Sequence, residues 1–226
     1  MENSSLKDII NNSSDSPLNK LKKSIATYDK ELAIISFNEL IKEKFSPVLI
    51  LEKISEVMRL IGKAYENDEL YLPDLIGASD TMSAVLPLAE AEIIKSGEKI
   101  HSPGAVVLGT VLGDIHTIGK QMVGTLLRAE GFTVYDIGVD VSAEKFVSAI
   151  KAYNADILAM SALLTTTAYE QKKVISILQE EELRDKVKVM VGGGAVTEEF
   201  ACSIGADGYD PTAPGAAKLA LKLLNK

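Results

Sequence analysis

The residues with the most chemical content fall in three short segments. The first, Gly113-Asp114-Ile115-His116-Thr117-Ile118-Gly119-Lys120, places a carboxylate two residues before an imidazole. Histidine is the commonest side-chain metal ligand, and a ligating imidazole generally gives its other ring proton to a carboxylate or a carbonyl. His116 and Asp114 are thus a candidate ligand and its orienting partner, although an Asp capping the next helix and a His hydrogen-bonded at its start would account for both residues as well. A phosphate-binding loop fails on spacing: it needs four residues between its glycines and then Lys-Ser or Lys-Thr, whereas five separate Gly113 from Gly119 and Gln121 follows Lys120. No Gly-x-Gly-x-x-Gly fingerprint is present. The second segment, Ser161-Ala162-Leu163-Leu164-Thr165-Thr166-Thr167, is dense in hydroxyls, and the third is Gly192-Gly193-Gly194. Taken singly, the threonines could cap a helix and the glycines make a tight turn. His101 is the only other histidine and Cys202 the only cysteine, and both sit outside these segments, so a tetrahedral zinc site cannot readily be assembled. One thiol also excludes an internal disulfide.

The segments must be held by elements, and the chain has two textures that meet near Lys95 to Gly104. From Pro17 to Glu98, apolar residues recur at helical spacing, as in Ile50, Ile54, Val57 and Ile61. Ser16-Pro17 and Ser46-Pro47 read as caps with a first-turn proline, Asn67-Asp68-Glu69 as a break, and Pro73 as the opening of a last helix to Ile94. Four helices with short connections predict an antiparallel bundle. From Ala105, short apolar runs (Ala105 to Gly109, Thr133 to Ile137, Ile157 to Ser161, Val187 to Val191) alternate with amphipathic stretches (Lys120 to Glu130, Ala143 to Tyr153, Ala168 to Glu181). A short strand near Ala206 to Tyr209 and a helix from Ala213 to Asn225 complete five βα units. The expected fold class is therefore α/β: a four-helix bundle cap over 17–98, then a Rossmann-like, flavodoxin-like five-stranded parallel sheet over 99–226, with residues 1–16 as a flexible lead. All three chemical segments then lie at the carboxyl ends of strands, where ligands bind in such folds.

Joint spacing is more specific than any segment alone: 41 residues separate Gly119 from Ser161, and 28 separate Leu163 from Gly192. In this pattern the chain resembles the cobalamin-binding domains that carry Asp-x-His-x-x-Gly, then Ser-x-Leu, then Gly-Gly. The first half resembles the helical cap of the same family in Gly62-Lys63-Ala64-Tyr65-Glu66 and in Glu69-Leu70-Tyr71-Leu72-Pro73-Asp74-Leu75. The likeness covers about Pro17 to Asn225 and is strongest to the corrinoid proteins of methanol, methylamine and methoxyaromatic methyltransferase systems.

The resemblance implies a cofactor, cobalamin or a related corrinoid, carried as methylcobalamin or cob(I)alamin, whose own benzimidazole leaves the cobalt and is replaced by a protein histidine. His116 matches that metal ligand, Asp114 its hydrogen-bond partner, and Thr167 a further hydroxyl of the relay; these three are the candidate catalytic residues. Ile115 and Thr117 belong to the same loop. The departed nucleotide tail needs a narrow slot, for which Ser161, Leu163 and Thr165 match one wall and Gly192, Gly193 and Gly194 another, with Gly119 as a small residue opening the helix beside it. Methylated cobalt takes an axial nitrogen and reduced cobalt does not, so Asp114 would hold the imidazole in both situations. Tyr65, Tyr71, Leu72 and Met82 are cap residues that would face the corrin, though bundle packing explains them as well.

The implied role is a methyl carrier between a substrate-specific methyltransferase and a second methyltransferase serving coenzyme M or tetrahydrofolate, maintained by a reductive activator protein. Such a chain is a component of an enzyme system and not a complete enzyme. Three other readings stay open: an adenosylcobalamin mutase subunit, a cobalamin-sensing regulator, and a flavodoxin-like domain without cobalt. A formal net charge of −8 and a pI near 4.9 lack the cationic surplus that phosphate neutralisation demands, so nucleic acid is not an expected partner. The polar stretch from Met1 to Pro17 lacks the features of a signal peptide, and no apolar run approaches the roughly 18 to 20 residues of a membrane span, so no membrane association and a cytoplasmic location are expected.

Overall fold

The computed structural model describes residues 6–11, 15–96 and 102–225. The chain divides into two compact units, 1–101 and 102–226. The boundary expected at 98/99, and His101 with it, lies outside the described residues.

In the first unit, α1 (Leu6–Asn11), α2 (Pro17–Ala26), α3 (Lys30–Lys42), α4 (Pro47–Glu66) and α5 (Leu72–Ser96) follow one another. The four long helices lie where apolar spacing places them; α1 falls within the lead expected to be flexible, where burial of Ile9 gives six residues a reason to be helical. Ser16 and Ser46 accept hydrogen bonds from the amides of Asn19 and Leu49, each with proline at the first helical position, and Asp29 caps α3 through Leu32. Leu21, Ile25, Phe37, Leu40, Ile54, Met58, Ile61 and Leu75 form the fully buried interior. Of the four candidate cap residues, Met82 is buried and Tyr65 half-buried, while Tyr71 and Leu72 are exposed.

Tyr28 ends the α2–α3 turn with φ 64°, and its hydroxyl donates to Asp74 Oδ1 at 3.1 Å. Burial, then the Asp74 hydrogen bond and charge, push its pKa up to about 12. A folded pKa above the unfolded value of about 10 gives stability that is whole below about pH 10 and is lost as pH rises through the folded value. We expect the urea midpoint of the protein to fall between pH 10 and 12 more steeply than that of Tyr28→Phe; parallel slopes would contradict this.

The second unit alternates β1 (Ala105–Thr110), α6 (Ile118–Ala129), β2 (Thr133–Asp136), α7 (Ala143–Tyr153), β3 (Ile157–Ser161), α8 (Thr165–Glu180), β4 (Lys188–Gly192), α9 (Glu198–Ser203), β5 (Gly208–Tyr209) and α10 (Ala213–Leu223). All strands are parallel, in the order β2-β1-β3-β4-β5. Helices α6 and α10 pack together, as do α7 and α8; right-handed crossovers put the two pairs on opposite faces. The strand interiors are continuous apolar runs, as burial on both faces requires. Two features depart from expectation. Thr165, Thr166 and Thr167 form the first turn of α8 and are not in a loop, and α9, capped by Thr197, is additional. The connections leave β1 and β3 in opposite directions, so a crevice opens at their carboxyl ends.

Candidate functional site: a presented imidazole at the β1/β3 crevice

The loop after β1 is held from three sides. Val111 N donates to Ser161 O at 3.1 Å, prolonging β1 alongside β3. Gly113, at φ 77°, donates its amide to Asp140 Oδ1 at 2.7 Å, and Asp140 N returns a bond to Asp114 O at 2.9 Å. Thr110, fully buried at the end of β1, donates its hydroxyl to His116 O at 2.9 Å.

This frame sets Asp114 in the interior, where all its acceptor capacity is used. Oδ1 accepts from His116 N at 3.0 Å and Nδ1 at 2.8 Å; Oδ2 accepts from Leu163 N at 2.7 Å and Thr167 Oγ1 at 2.8 Å. Burial is the largest single influence and raises its pKa. The bonds from the His116 and Leu163 amides, the His116 ring and the Thr167 hydroxyl together outweigh it and hold the carboxyl well below the usual carboxylate range. An ionised carboxylate only accepts, so His116 Nδ1 carries the hydrogen, and in the neutral ring it is Nε2 that keeps a lone pair. Asp114 does not cap α6, whose N-cap is Thr117 without a side-chain bond.

The imidazole is presented outward, its side chain 51% exposed against 0% for Asp114. Exposed apolar side chains stand on the same two loops and the helix starts beside them: Leu112, Ile115, Ile118, Leu163 and Leu164. Ser161 pairs in register with Thr110 on one side and Gly192 on the other. Thr165 and Thr166 are exposed, and Thr117 is half-buried. The glycines divide in their reasons. A Cβ on Gly119 would meet nothing within 4 Å, and one on Gly192 only Asp210 O at 3.8 Å, so both border open space. A Cβ on Gly193 would lie 2.0 Å from Ala162 O, and one on Gly194 2.7 Å from Leu163 Cδ1. The protein's own β3 loop therefore occupies the room that a side chain would need at those two positions.

Two groups near the site were not singled out by sequence reasoning. Lys120, in the first turn of α6, is 3% exposed and ion-paired to Asp136 at the end of β2. A buried cation at a helix N-terminus opposes the helix dipole, and the carboxylate compensates it. Gln171 of α8 is fully buried against the ends of β3 and β4. The spacing of Lys120 drew notice only as a failed phosphate loop, and Gln171 carried no signal.

Among the described residues no group of three or more His, Cys, Asp or Glu could hold a metal ion. A single presented imidazole within an apolar setting fits a metal whose other ligands belong to a flat macrocycle of its own, and the open space at Gly119 and Gly192 fits an appended group. Comparison with known proteins agrees. A B12 binding domain family matches residues 104–217, and a second B12 binding domain family matches residues 17–90. The chain belongs to the B12-binding corrinoid proteins. This corrinoid protein is 39% identical over 211 residues to a corrinoid protein of Desulfitobacterium hafniense strain Y51, covering 92% of this chain and 98% of that one. It is 41% identical over 208 residues to dimethylamine corrinoid protein 2 of Methanosarcina acetivorans, covering 92% and 95%. Among solved structures, a chain of the methanol:cobalamin methyltransferase complex MtaBC from Methanosarcina barkeri superposes with a TM-score of 0.82 at 26% identity, over 100% of this chain and 86% of that one. No helix among the described residues is long and apolar enough to cross a membrane.

Proposed function

We propose that this corrinoid protein carries a methyl group on cobalt between two methyltransferases. The observation that bears most weight is the outward-facing His116 Nε2, fixed in tautomer and direction by a buried carboxylate that is itself saturated with donors. When bound, cobalamin supplies a cobalt centre that accepts a methyl group from one partner and yields it to another. His116 would hold the cobalt through its ring, which Asp114 orients. Thr167 and the Leu163 amide hold Asp114, so the imidazole keeps its aim when it is free of the metal. The exposed Ile115, Ile118 and Leu163 give a macrocycle an apolar seat, while Thr117, Gly119, Ser161, Thr165 and Gly192 border the place for the nucleotide tail, with Gly193 and Gly194 shaping its rim.

The first partner is a substrate-specific methyltransferase. The greater identity to dimethylamine corrinoid proteins than to the methanol complex supports a methylated amine as donor. The second delivers the methyl group to coenzyme M or tetrahydrofolate, and a reductive activator protein restores the low-valent metal in the cytoplasm. Reconstitution with reduced cobalamin and candidate methyltransferases tests the role: the visible spectrum should shift on addition of the amine-specific partner with its substrate and not with a methanol-specific one. His116→Ala should still retain cobalamin through the tail but lose the nitrogen splitting in the electron paramagnetic resonance spectrum of the Co(II) form. Persistence of that splitting in the variant would remove His116 as the ligand.

A further inference from the structure

Gln171 lies on α8 one turn beyond Thr167, with no exposed surface. Its Nε2 donates to Met160 O and to Gly192 O, each at 3.2 Å, and its Oε1 has no hydrogen-bond partner among the described residues. The direction of the amide is fixed by its neighbours: turned over, Oε1 would face two carbonyl oxygens and both bonds would be lost. The two carbonyls flank the pairing of Ser161 with Gly192, which is the last rung between β3 and β4. Gly192 O also accepts from Ala162 N at 3.0 Å, so this carbonyl has a partner without Gln171. Beyond the rung Gly193 still lies against Ala162 and Gly194 against the Leu163 side chain, before one segment enters α8 and the other leads to α9.

For stability alone, glutamine is a poor occupant of this position. It strands a buried acceptor, and an unbranched apolar side chain of equal length would fill the space without one. What the amide adds is a fixed spacing between the strand ends that carry Ser161 and Gly192. We propose that Gln171 is a positioning residue for the nucleotide tail of the corrinoid, setting through the strand backbones the separation of the two walls that receive it. This rests on the cobalamin reading above and adds to it a residue that acts through the walls.

The test compares cobalamin with cobinamide, which keeps the cobalt and the corrin but lacks the nucleotide, in equilibrium binding to the full chain. The wild-type protein should prefer cobalamin. In Gln171→Met the dissociation constant for cobalamin should rise about tenfold, the scale of a lost pair of neutral hydrogen bonds, with that for cobinamide unchanged. Gln171→Glu keeps the length and the acceptor but turns an oxygen toward the two carbonyls, and should narrow the preference in the same way. The proposal is overturned if the two ligands weaken alike, if the preference survives both substitutions, or if far-ultraviolet circular dichroism shows that neither variant folds, since Gln171 would then serve the sheet and not the tail. A wild-type protein that binds neither ligand, or shows no preference for cobalamin, would instead remove the reading on which the proposal rests.

Discussion

Gly193→Ala should destabilise the sheet unit by about 4 kcal/mol, enough to lower its thermal midpoint by roughly 15 °C, and should release cobalamin with it. Gly193 has φ 114°, a conformation that side-chain-bearing residues rarely adopt, and a Cβ there would lie 2.0 Å from Ala162 O, 2.6 Å from its carbonyl carbon and 2.8 Å from its nitrogen. Backbone must move, and Ala162 is not free to do so. Its amide is bonded to Gly192 O, and the next amide, Leu163 N, is bonded to Asp114 Oδ2. Strain at Gly193 therefore reaches the residue that aims His116. Gly194→Ala is the control: its Cβ meets only the end of the Leu163 side chain, which can turn aside, and a loss of about 1 kcal/mol is expected. Thermal unfolding followed by circular dichroism, with cobalamin retention on a desalting column, separates the two; equal effects would contradict the steric account.

Asp114→Ala should cost a similar amount, about 4 kcal/mol, because it strands the His116 and Leu163 amides inside the loop. Asp114→Asn preserves the shape and exposes the reason. All four groups around the carboxylate act as donors, and the new amide must face one pair of them. Facing Thr167 and Leu163 is the better choice, since the Thr167 hydroxyl can send its hydrogen to Leu164 O, 3.0 Å away, and accept from the amide. Leu163 N still loses its acceptor, so a loss of about 2 kcal/mol is expected. In both variants the imidazole loses its charged partner, and the Co(II) spectrum should show weakened or absent histidine coordination. Denaturant titration of the unloaded chains beside that spectrum measures both effects; an asparagine variant as stable as the wild type would mean that Asp114 is not acting as a carboxylate.

The parts legible in the sequence were those encoded by neighbours along the chain. Helix α7 and strand β3 fall where apolar spacing puts them, and the Asp114–His116 pair was visible because both partners lie within one loop. Boundaries were less legible where polar residues enter a helix. The three threonines at the start of α8 resemble loop composition, and their place is set by the β3 crossover. The six-residue α9 is too short to show a period, although Thr197 followed by Glu198 and Glu199 is a start signal. In the site, the Leu163 amide left no mark because every residue but proline has one. The Lys120–Asp136 pair joins two elements that only tertiary structure brings together. The glycine run was conspicuous, but composition could not reveal that Gly193 makes room for Ala162.

The hydrogen bonds that fix Asp114 reach 49 and 53 residues along the chain, to Leu163 and Thr167. In the first unit, by contrast, α2 lies against α3 and α4 against α5, each pair adjacent in sequence. Loop-closure entropy makes contacts of the second kind fast and those of the first kind slow, and chains emerge from the ribosome amino end first. The bundle is thus able to fold while the sheet is still being synthesised. His116, made early, has no fixed aim until α8 has been translated and docked. Cofactor loading is accordingly a late event in the life of the chain, and a nascent protein released before residue 167 would carry His116 without the means to use it.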